Sequence, residues 1–222
     1  MSPADRRSLR RQETITEILA VAVELMTAQG PGALNMAEVA RRVGVKPPSL
    51  YQYFPSKLAV YDEVFARGGR ELNDYLVEAV KTATDSMQTL RLGMTAFVRW
   101  SVEHPVHAQI MFWRPVPGFT PSPESYEVAL QTKDLGRAAV HALVAAGRLR
   151  PEAATDHGHD LLTTLVSGVI SQQLSNEPQV GAGDGHFASL IDEVLDMFLL
   201  YFGVSSDEQS KPGGARRRPR RG

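Results

Sequence analysis

Apolar residues in this chain recur every three or four positions almost from one end to the other, and nowhere do they alternate with polar ones as in a half-buried strand. A chain patterned this way buries helical stripes against one another, so the predicted fold class is all-α. Ile15, Ile18, Leu19, Ala22, Val23, Leu25 and Met26 form the first stripe, with Gly30 at an expected left-handed cap. The second stripe, Met36, Val39, Ala40 and Val43, is two turns long. It follows Asn35 and Glu38, spaced as a capping box, and stops at Gly44, whose missing Cβ permits a positive φ. Pro47 and Pro48 fit the first turn of a third helix with Leu50, Tyr53 and Phe54 inward, and Pro55 ends it. Ser56 then caps a long fourth helix carrying Tyr61, Val64, Phe65, Leu72 and Leu76. Further helices are predicted from an Asp85 and Gln88 capping box to Pro105, from Pro105 onward, from about 123 to Gly147, over roughly 155–173, and from Phe187 to Phe202. The proline-rich stretch 114–123 reads as a loop and 175–185 as a linker.

Composition narrows what such helices can serve. The chain has no cysteine, which excludes a disulfide framework, a cysteine nucleophile and thiolate metal sites. No apolar run approaches the ~18 residues of a membrane span, and the charged N-terminus lacks the apolar core of a leader, so a cytoplasmic location without membrane contact is expected. The net charge of -1 conceals a segregation: residues 1–60 carry +3, residues 61–203 carry -8 and residues 204–222 carry +4. A basic head on an acidic body suits a polyanion at the head alone. The Arg-rich tail over 204–222 is predicted to be disordered, and nonspecific duplex affinity, RNA contact and no role all stay open for it.

The stretch 35–54 carries the chemistry. Two short helices about a Gly44 and Val45 turn, the second opening with Lys46, Pro47, Pro48 and Ser49, have the dimensions of a helix-turn-helix. A B-form major groove is about 12 Å wide and admits one helix, so a reader must hold a helix clear of its own body. Leu50 and Phe54 anchor the third helix from one side and leave its first turn free for base edges.

The run from Ala33 through Val45, continued by Leu50, Tyr51, Gln52, Tyr53, Phe54, Pro55, Ser56 and Lys57, resembles the DNA-binding domain of the TetR family of transcriptional regulators over about residues 11–62. The resemblance implies a homodimer that binds a palindromic operator, usually as a repressor, and releases it when a small molecule enters the C-terminal domain. Carried onto matching positions, it implies that Tyr51, Tyr53, Lys57 and the helix cap Asn35 touch operator phosphates. It implies that Lys46, Pro47, Ser49 and Gln52 approach bases. Two departures stand out: Lys46 occupies a position where the family often has a capping Ser or Thr, and the Pro47 and Pro48 pair removes two backbone donors. Packing is a competing role for Tyr51 and Tyr53, and a solvated face competes with DNA contact for Arg41 and Arg42. Arg6, Arg7, Arg10 and Arg11 are expected to follow the backbone.

The expected organisation is a flexible basic arm over 1–10, a DNA-binding domain over 11–56, a ligand-binding and dimerisation body over 57–203 and the tail. Met and aromatic residues concentrate on both sides of the proline-rich loop, where most are expected in the core and some around a largely apolar pocket. Trp100, His104, His107, Met111 and Tyr126 are the candidates for touching a ligand there. The last two helices are the expected dimer surface, with Ser167 and Gly168 permitting close approach. No nucleophile elbow or glycine-rich phosphate loop is present, so neither a catalytic residue nor a cofactor is assigned. His157, His159 and Asp160 are read as surface groups and not as a metal site. The competing functional reading is a helical small-molecule-binding or interaction protein without sequence-specific DNA binding.

Overall fold

The computed structural model describes residues 2–204, and within them the chain is helical: α1 Pro3–Gln29, α2 Met36–Val43, α3 Pro47–Leu50, α4 Lys57–Ala79, α5 Ser86–Glu103, α6 Pro105–Phe112, α7 Pro123–Ala145, α8 Asp156–Asn176 and α9 Ile191–Phe202. Short 3-10 turns stand at Pro31–Ala33, Pro151–Ala154 and Ala188–Leu190. The one β-type pairing among the described residues is an isolated bridge between Leu149 and Gly203, which ties the end of α9 to the turn after α7. Apart from Val204, the Arg-rich tail lies outside the described residues.

Local signals set most of the boundaries. Ser56 Oγ accepts from the Ala59 N–H at 3.1 Å and starts α4, while Thr155 and Ser122 do the same for α8 and α7. Gly44 closes α2 at φ 78, and the Val45 N–H reaches the Ala40 carbonyl at 3.0 Å, the six-residue return that ends many helices.

Several expectations need correction. Where a flexible arm was expected over 1–10, α1 already begins at Pro3: Ser2 Oγ accepts from the Asp5 N–H and the Asp5 carboxylate accepts from the Ser2 N–H, so the basic residues ride the opening turns of a 27-residue helix. The Asn35 box is only half formed, because Glu38 turns away to two arginines. In the Asp85 box, the Gln88 side chain accepts instead from the Thr84 N–H at 2.7 Å. Gly30 has φ 88 with an extended ψ of 154, so it breaks α1 without the left-handed cap. The third helix is a single turn of four residues, after which 51–53 continue as turns.

The head packs Ile18, Leu25, Met26, Val39, Leu50 and Phe54 together with Val60, Tyr61 and Val64 of α4. The same core continues into Val106 and Ile110 of α6 and into Val116 and Phe119 of the proline-rich loop. Packing therefore does not stop at residue 56; α4 and α6 carry it from head to body. A second core joins α5, α7, α8 and α9 through Leu90, Val140, Leu143, Val166, Ile170, Leu195 and Phe198. Between them Trp100 is buried with Leu72, Leu76 and Ala96. Burying such side chains contributes roughly 1.5–3 kcal/mol each, and this is what fixes α4 against both ends.

Candidate nucleic-acid interface and body cavity

At the head, the single turn α3 stands on Leu50, which is fully buried, and Phe54. The residues around this anchor face outward: Lys46, Pro47, Tyr51 and Gln52 are exposed and Ser49 is half-buried. Tyr51 is 49% exposed, too open for a packing residue, whereas Tyr53 is half-buried and lies 5.3 Å from the Arg11 guanidinium. Asn35 is exposed at the start of α2, its carboxamide oxygen accepting from the Ala37 N–H at 2.9 Å. Lys57 Nζ donates to the Gly32 carbonyl at 3.2 Å and sits 5.7 Å over the Tyr61 ring, so it straps the 3-10 turn before α2 to α4. Of the expected phosphate and base contacts, Asn35, Lys46, Pro47, Tyr51 and Gln52 are thus open to solvent, while Lys57 is engaged internally.

Glu38 organises the neighbouring face of α2. It accepts from Arg41 Nε and Nη2 at 2.8 Å and from Arg42 Nε at 2.9 Å. Hydrogen bonds from Arg41 and then Arg42 hold its carboxyl down to about 2. Both arginines are engaged by Glu38, and Arg42 Nη1 also lies 3.8 Å from Glu24 of α1, which favours the solvated-face reading over DNA contact.

In the body, a cavity of about 410 Å³ opens between α4, α5, α6, α7 and α8. Its walls are mostly apolar, with Leu90, Met94 and Phe97 from α5 and Ile110, Met111 and Phe112 from α6. Beside it, a Cβ on Gly68 would lie 2.9 Å from the His107 ring and 3.1 Å from Met111 Sδ, so α4 and α6 approach closely there, whereas one on Gly136 would make ordinary contact with Met94 Cε at 3.6 Å.

The five expected ligand residues are not brought together. Met111 and Tyr126 line this cavity. Trp100, His104 and His107 do not; they form a cluster of their own at the α5 and α6 junction, with Trp100 stacked on His104 at 4.7 Å and His107 6.1 Å from Trp100. The reason is the α5 stripe, whose Trp100 packs with Leu72 and Leu76 of α4 and stacks on His104, while Met94 meets α7 at Gly136 and Phe97 packs 5.4 Å from the Phe112 ring of α6. His159 corrects another expectation: His157 is exposed, but His159 is buried beneath α7, 5.6 Å from the His141 ring, and lines the cavity. Arg137 lines it as well and gave no local sequence signal, since its neighbours Asp156 and His159 lie on another helix. Among the described residues no three His, Asp or Glu groups gather as they would around a metal ion, and no helix is long and apolar enough to cross a membrane.

Comparison with known proteins bears on both ends of the molecule. Residues 18–64 match the family model described as bacterial regulatory proteins, tetR family, and residues 90–198 match one described as tetracyclin repressor-like, C-terminal domain. The HTH-type transcriptional activator FasR of Mycolicibacterium smegmatis is 38% identical over 96 residues, covering 43% of this chain and 43% of FasR. The chain spans about half the length of the curated relatives it matches. Among solved structures, the regulatory protein SCO4313 superposes with a TM-score of 0.69 at 24% identity over 89% of this chain and 99% of its own. FadR of Bacillus subtilis, solved in complex with stearoyl-CoA, superposes with a TM-score of 0.66 at 13% identity over 83% of this chain and 97% of its own. At these identities the likeness carries the fold.

Proposed function

We propose that this chain, which belongs to the TetR family of bacterial regulatory proteins, is a DNA-binding transcriptional regulator that grips a palindromic operator as a homodimer and lets go when a small molecule fills the body cavity. The observation that carries the reading is the outward surface of Lys46, Pro47, Tyr51 and Gln52, held past the positive-φ Gly44 on a buried Leu50 anchor. That surface gives a major groove both cationic and hydrogen-bonding side chains and exposes little that the head needs for its own packing. A cytoplasmic location goes with DNA as the partner.

Dimerisation through α8 and α9 is supported by what α9 leaves bare. Met197, Leu200 and Tyr201 are 63%, 84% and 59% exposed on one side of a helix whose other side is core. An apolar strip of this kind is covered in a stable molecule, and a second copy does so with two-fold symmetry, which matches an inverted-repeat operator. Release by ligand is supported by α4, which runs from the head's core to the cavity wall at Leu76 and Val77, with Val80 just past its end. Repression is the family's usual output. FasR is named an activator, so the sign of regulation is read from transcription in vitro with the selected operator placed upstream.

Selection of bound duplexes from a random pool by the full chain tests the reading. It predicts an inverted repeat, with affinity for the recovered duplex falling steeply as salt rises. Absence of saturable binding to any duplex would favour a helical small-molecule-binding or interaction protein.

A further inference from the structure

Two buried nitrogens at one end of the body cavity have no use within the protein. Arg137 Nε on α7 and His159 Nε2 on α8 are buried without a hydrogen-bond partner among the described residues, and both residues line the cavity. His159 is only 6% exposed. An unpaired buried polar atom costs about 1–3 kcal/mol, and one such atom in a native fold calls for a partner arriving from outside. Here there are two, from different helices, at the same wall.

Their surroundings define that partner. Arg137 Nη2 is already paired with Asp156 Oδ1 at 2.5 Å, which holds the guanidinium in place while Nε stays buried and unpaired. Lys133, one turn earlier on α7, also lines the cavity, and Asp160 of α8 is the carboxylate there that opposes them. The rest of the lining is mostly apolar, through Leu90, Met94, Phe97, Met111 and Phe112, with Arg114 after α6 as a further cation. Tyr126 lines the far end of the α7 wall, about 16 Å from Arg137 at the helical rise of 1.5 Å per residue. The space is long and greasy with a cationic, hydrogen-bonding terminus.

We propose that the ligand is an amphipathic acid: an apolar chain lying along α5, α6 and α7, with a carboxylate-class head held by Arg137 Nε and His159 Nε2. The head gains the Arg137 N–H and, once His159 carries a proton on Nε2, a second donor. This rests on the reading of the cavity as the effector site and adds the chemical class of effector and the two residues that choose it. A charge-assisted pair of donors separates an acid from its isosteric alcohol by about tenfold or more.

Titration calorimetry on the full chain tests this with dodecanoate and dodecan-1-ol as probes, each below its micellar concentration. Dodecanoate is expected to bind at least about tenfold tighter than the alcohol. In Arg137→Gln and His159→Gln, checked for an unchanged thermal transition, the ratio of the two affinities should fall towards one. Should a variant not fold, the wild-type ratio alone decides. Equal binding of acid and alcohol would overturn the head-group assignment and leave the cavity as an apolar effector site. Binding of neither probe would overturn the assignment and the effector reading of the cavity together.

Discussion

Asp62 on α4 accepts hydrogen bonds from both the backbone N–H of Ser122, at 2.7 Å, and its hydroxyl, at 2.8 Å, and Ser122 is the residue that caps α7. The Ser125 hydroxyl donates to the same carboxylate at 2.9 Å. The helix that leaves the head is thereby tied to the first turn of the helix that walls the cavity. Asp62→Ala removes an ionised acceptor from three half-buried donors, so unfolding in urea should show a loss of about 2–3 kcal/mol. Because the tie joins α4 to α7, the same variant should also respond less to ligand in DNA release while still binding the ligand.

Gly44 sits at φ 78 with open space around the position of an added Cβ. Its replacement therefore tests backbone strain without a packing clash. Gly44→Ala should lower stability by about 1–2 kcal/mol and Gly44→Asn by less, since Asn tolerates the left-handed region better. Urea unfolding of the two variants beside the wild type checks the order.

How much of this was legible in the chain can be judged from particular residues. Ser56, Gly44 and the Asn35 side chain act on N–H groups within a few residues of themselves, so a local pattern announces them. Glu38 defeated the capping box because Arg41 and Arg42, on the next turn, outcompete a backbone N–H for its carboxylate. The third helix is shorter than its apolar spacing suggests, since Leu50 and Phe54 are buried from a turn as readily as from a helix. The exposed face around Tyr51 and Gln52 was readable because it belongs to one short segment. The cavity was not: whether Trp100 or Met94 faces it depends on how α5 meets α4 and α7, and Arg137 meets His159 only after two helices pack.

His107 is 8% exposed, above Gly68 at the joint between head and body. Burial pushes its imidazole below the usual range; Glu71 pulls it back up, and His104 and Arg67 push it further down. The unfolded chain therefore takes up the proton first. Stability is full above the ordinary imidazole range and is lost as pH falls from there towards the folded value. NMR titration should place the His107 midpoint below the ordinary imidazole range, and His107→Gln should flatten the loss of stability on acidification through that window.

Leu200 is the most exposed large apolar residue of α9, at 84%. A charge there costs an isolated chain little, but it would be desolvated in a two-fold interface built on this helix. Leu200→Glu should leave the thermal transition of the fold in place and shift sedimentation towards the monomer. It should also weaken operator binding, because one head then acts alone.

The most direct measurement is a hydroxyl-radical and base-methylation footprint of the full chain on its selected duplex. Two protected patches related by a two-fold axis are predicted, with their centres separated by about one helical turn or a multiple of it. Tyr51→Ala should fade both patches for every sequence, and Gln52→Ala should relax preference at one base position in each half-site. A single patch without symmetry, or a footprint indifferent to Tyr51 and Gln52, would contradict the account.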